Sequence, residues 1–167
     1  RPGSLRPKRR WQAGQRWQAF ASRHDLRVEI FRLAGIYGPG RSAIDNLREG
    51  TARRIVKPGQ VFNRIHVADI AATVRAAIAA PPRFDVYNVT DDEPAPPQDV
   101  VAFGARLLNI PVPPEIPLEQ AGLSEMGLSF YGENKRVSNQ RIKEALGVKL
   151  AYPTYREGIA ALAAGKP

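Results

Sequence analysis

Residues 32–41, RLAGIYGPGR, and residues 64–71, RIHVADIA, decide how this chain is read. The first is an apolar run closed by Gly-Pro-Gly, the pattern of a strand that ends in a turn. The second leads from a short apolar run straight into the Ala-rich stretch Ala68–Ala80. A strand feeding a helix, repeated along a chain, favours an α/β domain with parallel strands.

Outward from these stretches the expectations are as follows. Residues 8–24 suit a helix, with Trp17, Phe20 and Ala21 at the spacing of a core-facing stripe. Arg27–Ala34 is expected as a strand and Gly35–Arg41 as the turn after it. Ser42 is placed to cap a helix running to about Arg48, which Gly50 ends. Lys57-Pro58-Gly59 predicts a turn that joins Ile55–Val56 to a strand over Val61–His66, making a hairpin. Asp69 falls in the first turn of the Ala68–Ala80 helix, where a carboxylate favours the free N–H groups. Pro81 and Pro82 stop that helix, and Asp85–Val89 reads as a strand. Pro97–Leu108 carries Val100, Phe103, Leu107 and Leu108 on one helical face. Pro111, Pro113, Pro114 and Pro117 predict an extended segment over 109–133. Two last helices are expected, from about Ser138 to Leu146 with Gly147 closing it, and from about Thr154 to Ala164.

Composition narrows the function classes. The chain has 167 residues, 43% of them hydrophobic, which suits one globular domain. It has no Cys, so disulfides and thiolate chemistry are excluded, and His24 and His66 match no metal-ligand spacing, so no metal site is expected. No apolar run reaches 18 residues, which argues against a membrane span, and a cytoplasmic location is expected. The start, RPGSLRPKRR, lacks the apolar segment of a secretory signal, and the only Met is Met126. A fragment of a longer protein is therefore expected. Residues 1–32 hold nine Arg and Lys against Asp25 and Glu29, so most of the net charge of +9 lies there. Such an arm suits phosphates or nucleic acid, and suits equally a solvated helix face.

The segments RLAGIYGPGR, RIHVADIA, VYNVTDDEP, ENKRVSNQRIKEALGV and YPTYREGI, in this order, resemble the extended short-chain dehydrogenase/reductase family. This is the family of NAD-dependent epimerases and dehydratases, and the likeness spans about residues 8–160. The resemblance implies the C-terminal part of a doubly wound, Rossmann-like α/β fold, with a small lobe that closes over the substrate. On that reading residues 1–7 are a basic arm and residues 8–110 are the C-terminal part of the NAD(P)-binding domain. Residues 41–66 are interleaved lobe segments, and residues 111–167 are mainly substrate-binding lobe.

The implied cofactor is NAD or NADP, and the implied partner is a small polar or sugar-like substrate; a homodimer is compatible with the family. Yet the chain contains no GxGxxG, so the turn that would cradle the pyrophosphate is absent. Family catalysis rests on a Tyr-x-x-x-Lys pair, in which the Lys lowers the Tyr pKa while hydride moves at the nicotinamide. The one such spacing here, Tyr131–Lys135, lies far from the helix that should carry it, and no Tyr precedes Tyr37. No catalytic residue is therefore assigned. Leu33, Ala34, Gly35 and Ile36 carry over as the strand beside the nicotinamide. Arg41, Arg64, Asn134 and Lys135 are candidate substrate contacts, although Arg64 lies two residues before His66 where epimerases place Arg four before. The chain alone is expected to be inactive. The alternative is a non-catalytic module whose N-terminal arm binds nucleic acid or another polyanion, a partner ranked well below the small molecule.

Overall fold

The computed structural model describes residues 5–81 and 86–165, with side chains from residue 8 onward. Residues 1–4 of the expected basic arm, and Pro82 and Asp85 at the expected helix stop and strand start, lie outside the described residues.

The elements follow in the order α1 (Leu5–Arg23), β1 (Ile30–Leu33), β2 (Gly35–Tyr37), α2 (Ala43–Arg48), β3 (Arg54–Val56) and β4 (Arg64–His66). Then come α3 (Val67–Ala79), β5 (Val86–Val89), α4 (Pro97–Leu107), β6 (Glu115–Pro117), a 3-10 turn at Leu118–Gln120, α5 (Glu125–Tyr131), α6 (Gln140–Leu146) and α7 (Tyr155–Ala163). All three strand pairs are parallel: β1 with β5, β2 with β4, and β3 with β6. This is the mixed α/β architecture with parallel strands that the strand–helix order predicts, and it matches the partly Rossmann-like fold that the resemblance implies.

Local chemistry sets many boundaries. Ser42 caps α2, its Oγ accepting from the N–H groups of Ile44 and Asp45. Gly147 takes φ of +64° beyond α6, the left-handed position that glycine adopts freely. Thr154 and Glu157 form a reciprocal capping box at the start of α7.

Four expectations are corrected. The Gly35–Arg41 turn is shorter, because Gly35–Tyr37 pairs with β4 and only Gly38–Arg41 folds back on itself. The hairpin does not form. Gln60 N–H closes the expected turn on Lys57 O, but β3 then pairs with β6, and β4 pairs with β2. The segment 109–133 is not simply extended, since Ser124 caps the helix α5. Finally, Trp17 and Phe20 do not face a core; they are 60% and 46% exposed, and only Ala21 of that stripe is buried.

Apolar side chains gather in three clusters. Ile65, Tyr87, Val89, Ile142 and Val148 form the sheet core, with Phe31 stacked on Tyr87. Tyr37, Ile44, Val100, Tyr155, Ile159 and Leu162 join α2, α4 and α7. Ile55, Ala121 and Tyr131 form the third, around β3 and α5.

Candidate functional site

The chain from Ile30 to Tyr37 is one extended run that changes partner midway. Ala34 N–H donates to Val89 O at 3.0 Å, and the next N–H, of Gly35, donates to Asn63 O at 3.0 Å. Beyond β5, Asp91 N–H donates to Arg64 O at 2.7 Å, and Thr90 Oγ1 donates to the same oxygen at 3.0 Å. So β4 is wedged between β2 and the continuation of β5, where those two strands splay apart. Crevices of this kind, at the carboxyl ends of parallel strands, are where α/β sheets bind ligands.

Arg64 projects from the wedge into a cavity of about 180 Å³ that Tyr37, Arg53, Val100 and Ile159 also line. Its Nη1 donates to Phe62 O and Ala95 O, each at 3.0 Å. Burial lowers its pKa, and the charged group that most opposes this is Asp91. Asp91 is 1% exposed, and neither carboxylate oxygen has a hydrogen-bond partner of normal geometry. Burial pushes its pKa up to about 7, against the Arg64 guanidinium and the backbone N–H of Glu93, which pull it down.

Two other polar groups here are structural. His66 is fully buried, and its Nδ1 accepts the Ala68 N–H at 3.2 Å, capping α3. The neutral ring then carries its proton on Nε2, and burial keeps it neutral by lowering its pKa. The Tyr37 hydroxyl is buried with no partner, and burial, more than any neighbouring charge, drives its pKa upward. Its ring packs so closely on α7 that a Cβ at Gly158 would lie 2.0 Å from Oη.

The residues expected at the nicotinamide lie together on the β1–β2 run. Leu33 and Ile36 are 42% and 37% exposed, Ala34 is half-buried, and a Cβ at Gly35 would meet Asn63 O at 3.2 Å. The expected substrate contacts are scattered. Arg41 is exposed at the end of the Gly38 turn. Asn134 ties residues 59–61 to its own segment, its Oδ1 accepting from Val61 N–H and its Nδ2 donating to Gly59 O. Lys135 pairs with Glu133 at 2.6 Å. Of these four, only Arg64 lines the cavity. The Tyr131 ring packs edge-on against Phe62, as a core residue rather than half of a catalytic pair.

Asp91 and Tyr37 were not singled out by sequence reasoning. A signal for Asp91 exists: Tyr87 and Val89 are buried, and the period-two alternation carried two residues further puts 91 on the same face. The run Asp91-Asp92-Glu93 reads instead as a solvated turn.

The residues present do not fit the pyrophosphate of a dinucleotide. The helix after the GIYGPG turn has only six residues, and its cap Oγ is engaged by the Asp45 carboxylate at 2.6 Å. The turn itself is closed, since a Cβ at Gly38 would meet Val67 Cγ1 at 2.7 Å. Among the described residues no group of His, Asp or Glu is placed to hold a metal ion, and no helix is long and apolar enough to cross a membrane.

No family model matches the sequence. A 3-diazoavenalumate denitrifying reductase from a Streptomyces species is 30% identical over 149 residues, 81% of this chain and 47% of the reductase. A conserved protein of unknown function from Silicibacter pomeroyi is 53% identical, with a TM-score of 0.92 over 99% of this chain and 58% of its own. The dTDP-glucose 4,6-dehydratase of Bacillus anthracis, solved with NAD, shares the fold at 17% identity, with a TM-score of 0.73 over 98% of this chain and 52% of its own. The chain thus spans about half the length of the relatives it matches. These likenesses show that the chain shares the fold of the NAD-dependent epimerases and dehydratases and is similar in sequence to a reductase, in line with the ordered motifs that resemble the extended short-chain dehydrogenase/reductase family.

Proposed function

We propose that the chain is the substrate-side, C-terminal part of an NAD(P)-dependent oxidoreductase or epimerase that acts on a small polar or sugar-like substrate. Residues 8–110 belong to the cofactor domain apart from the lobe segments of 41–66, and residues 111–167 serve mainly the lobe. Leu33, Ala34, Gly35 and Ile36 are the wall beside the nicotinamide. When bound, that ring supplies hydride transfer; this chain's share is to give it a flat backbone edge and to present Arg64 and its neighbours to the substrate.

The observation that carries the reading is the one-sided pairing of β1. Among the described strands it bonds β5 alone, while Leu33 and Ile36 stay exposed at the carboxyl end. A parallel strand with one open edge and an uncovered apolar end is half of a sheet that continues elsewhere. The poor fit to pyrophosphate agrees with this, because that group would be held outside these residues. The chain alone then neither binds the dinucleotide tightly nor turns over. Fluorescence titration with NADH and with NADPH tests it; saturation at micromolar nucleotide would sink the reading.

A second reading draws on α1. Trp11 and Trp17 are exposed beside the exposed cations Arg9, Arg10 and Arg16, a surface that suits a polyanion. It requires DNA or RNA binding that weakens steeply with salt and vanishes when residues 1–16 are deleted. Binding that survives the deletion removes α1 from consideration.

A further inference from the structure

The Arg64 cavity has a feature that the family assignment does not explain. Nη1 of Arg64 spends both its N–H groups on Phe62 O and Ala95 O. Nε and Nη2, the side-on fork of the guanidinium, have no carboxylate within 4 Å among the described residues. Its strongest charged neighbour, Asp91, is near enough to act on it but makes no ion pair. A largely buried cation without a counter-ion is costly, and the side-on fork matches the two oxygens of a carboxylate.

The rest of the cavity suits an organic anion. Arg53 and Asn46 stand exposed among its lining residues, and Arg53 is held by Nη2 on Ala121 O. The remaining walls are Tyr37, whose hydroxyl is buried without a partner, and the apolar Ala43, Ala52, Pro97, Val100, Val101 and Ile159. The volume of about 180 Å³ corresponds to about six waters at ~30 Å³ each, room for a ligand of roughly six to nine non-hydrogen atoms.

We propose that this cavity binds a small organic carboxylate, with its oxygens on the Arg64 fork and Arg53 and its carbon frame against Val100, Val101 and Ile159. The proposal deepens the reading of Arg64 as a substrate-side residue, giving that substrate a carboxylate. It requires no nucleotide, so its outcome is separate from that of the NADH titration.

Benzoate is the probe and benzamide the uncharged control, each titrated into the full chain by heteronuclear NMR. Benzoate is expected to bind with a dissociation constant of about 1 mM, with benzamide about tenfold weaker, and to shift the amides of Val100, Val101 and Arg64. Arg53→Gln, an exposed change, is expected to weaken benzoate about tenfold while leaving benzamide unmoved. Arg64→Gln should do more, and Arg53→Gln stands in for it if that variant does not fold. Equal affinity for benzoate and benzamide overturns the proposal. So does benzoate binding that Arg53→Gln leaves unchanged, or no binding at several times the expected constant.

Discussion

Asp91 shows most plainly what a single residue does here. Its carboxyl is 1% exposed beside a buried guanidinium, with the Tyr37, Tyr155, Asp69, Asp99 and Glu157 side chains among the groups that act on this cluster. Burial holds its pKa at about 7, above the ordinary value of 3.8. The folded chain therefore binds a proton more tightly than the unfolded chain. Its contribution to stability is full below about pH 4 and is lost as pH rises towards 7. Asp91→Asn, which mimics the protonated form, should flatten this slope and stabilise the protein at pH 8 by about 1–2 kcal/mol. Urea unfolding of both proteins at pH 5 and pH 8 checks it; a variant less stable at pH 8 would show that the carboxylate is held by partners after all. This residue was hidden in the sequence because an acidic run reads as solvated, and burial is a property of the sheet, not of the run. Arg64, by contrast, was found, though its guanidinium serves Phe62 O and Ala95 O as well as the cavity.

Elements were legible where their signals are local. The caps at Ser42 and Thr154, the glycine stop at Gly147 and the Pro97–Leu107 helix follow from residues within one turn of each other. The hairpin failed because a turn signal says that the chain reverses, not which strand it meets. The Lys57–Gln60 turn is there, yet β3 finds β6 some sixty residues on, with Arg54 bonding Pro113 O and Glu115 across the pair. Likewise Asp69, expected only to favour the start of α3, holds two elements together. Its Oδ1 accepts from Ala151 N–H at 2.7 Å and its Oδ2 from Tyr152 N–H at 3.1 Å. Asp69→Ala leaves two part-buried N–H groups unmet and should cost about 2–3 kcal/mol of unfolding free energy. A loss below about 0.5 kcal/mol in urea titration would mean that water replaces the carboxylate there.

At the scale of the whole molecule, the surface carries more apolar side chain than a chain acting alone would need. Helix α3 buries Asp69, Thr73 and Ala77 on one side. Val67, Val74 and Ile78 are 47%, 36% and 76% exposed, spaced by seven and four residues, so they line the opposite side. The helix thus presents an apolar stripe on the side away from its packed face. Leu33 and Ile36 add exposed apolar surface on the β1–β2 run, whose β1 edge is open among the described strands. Such a patch beside an unpaired strand edge drives association when nothing covers it. The chain alone is therefore expected to sediment as reversible oligomers whose proportion grows with concentration. Ile78→Glu, which puts a charge at the most exposed of these positions, should shift the distribution towards monomer. Its effect on unfolding free energy should stay within about 0.5 kcal/mol, as for other surface changes. A wild-type chain that stays monomeric at high concentration would show that this face needs no cover, and would remove the argument that the sheet continues beyond β1.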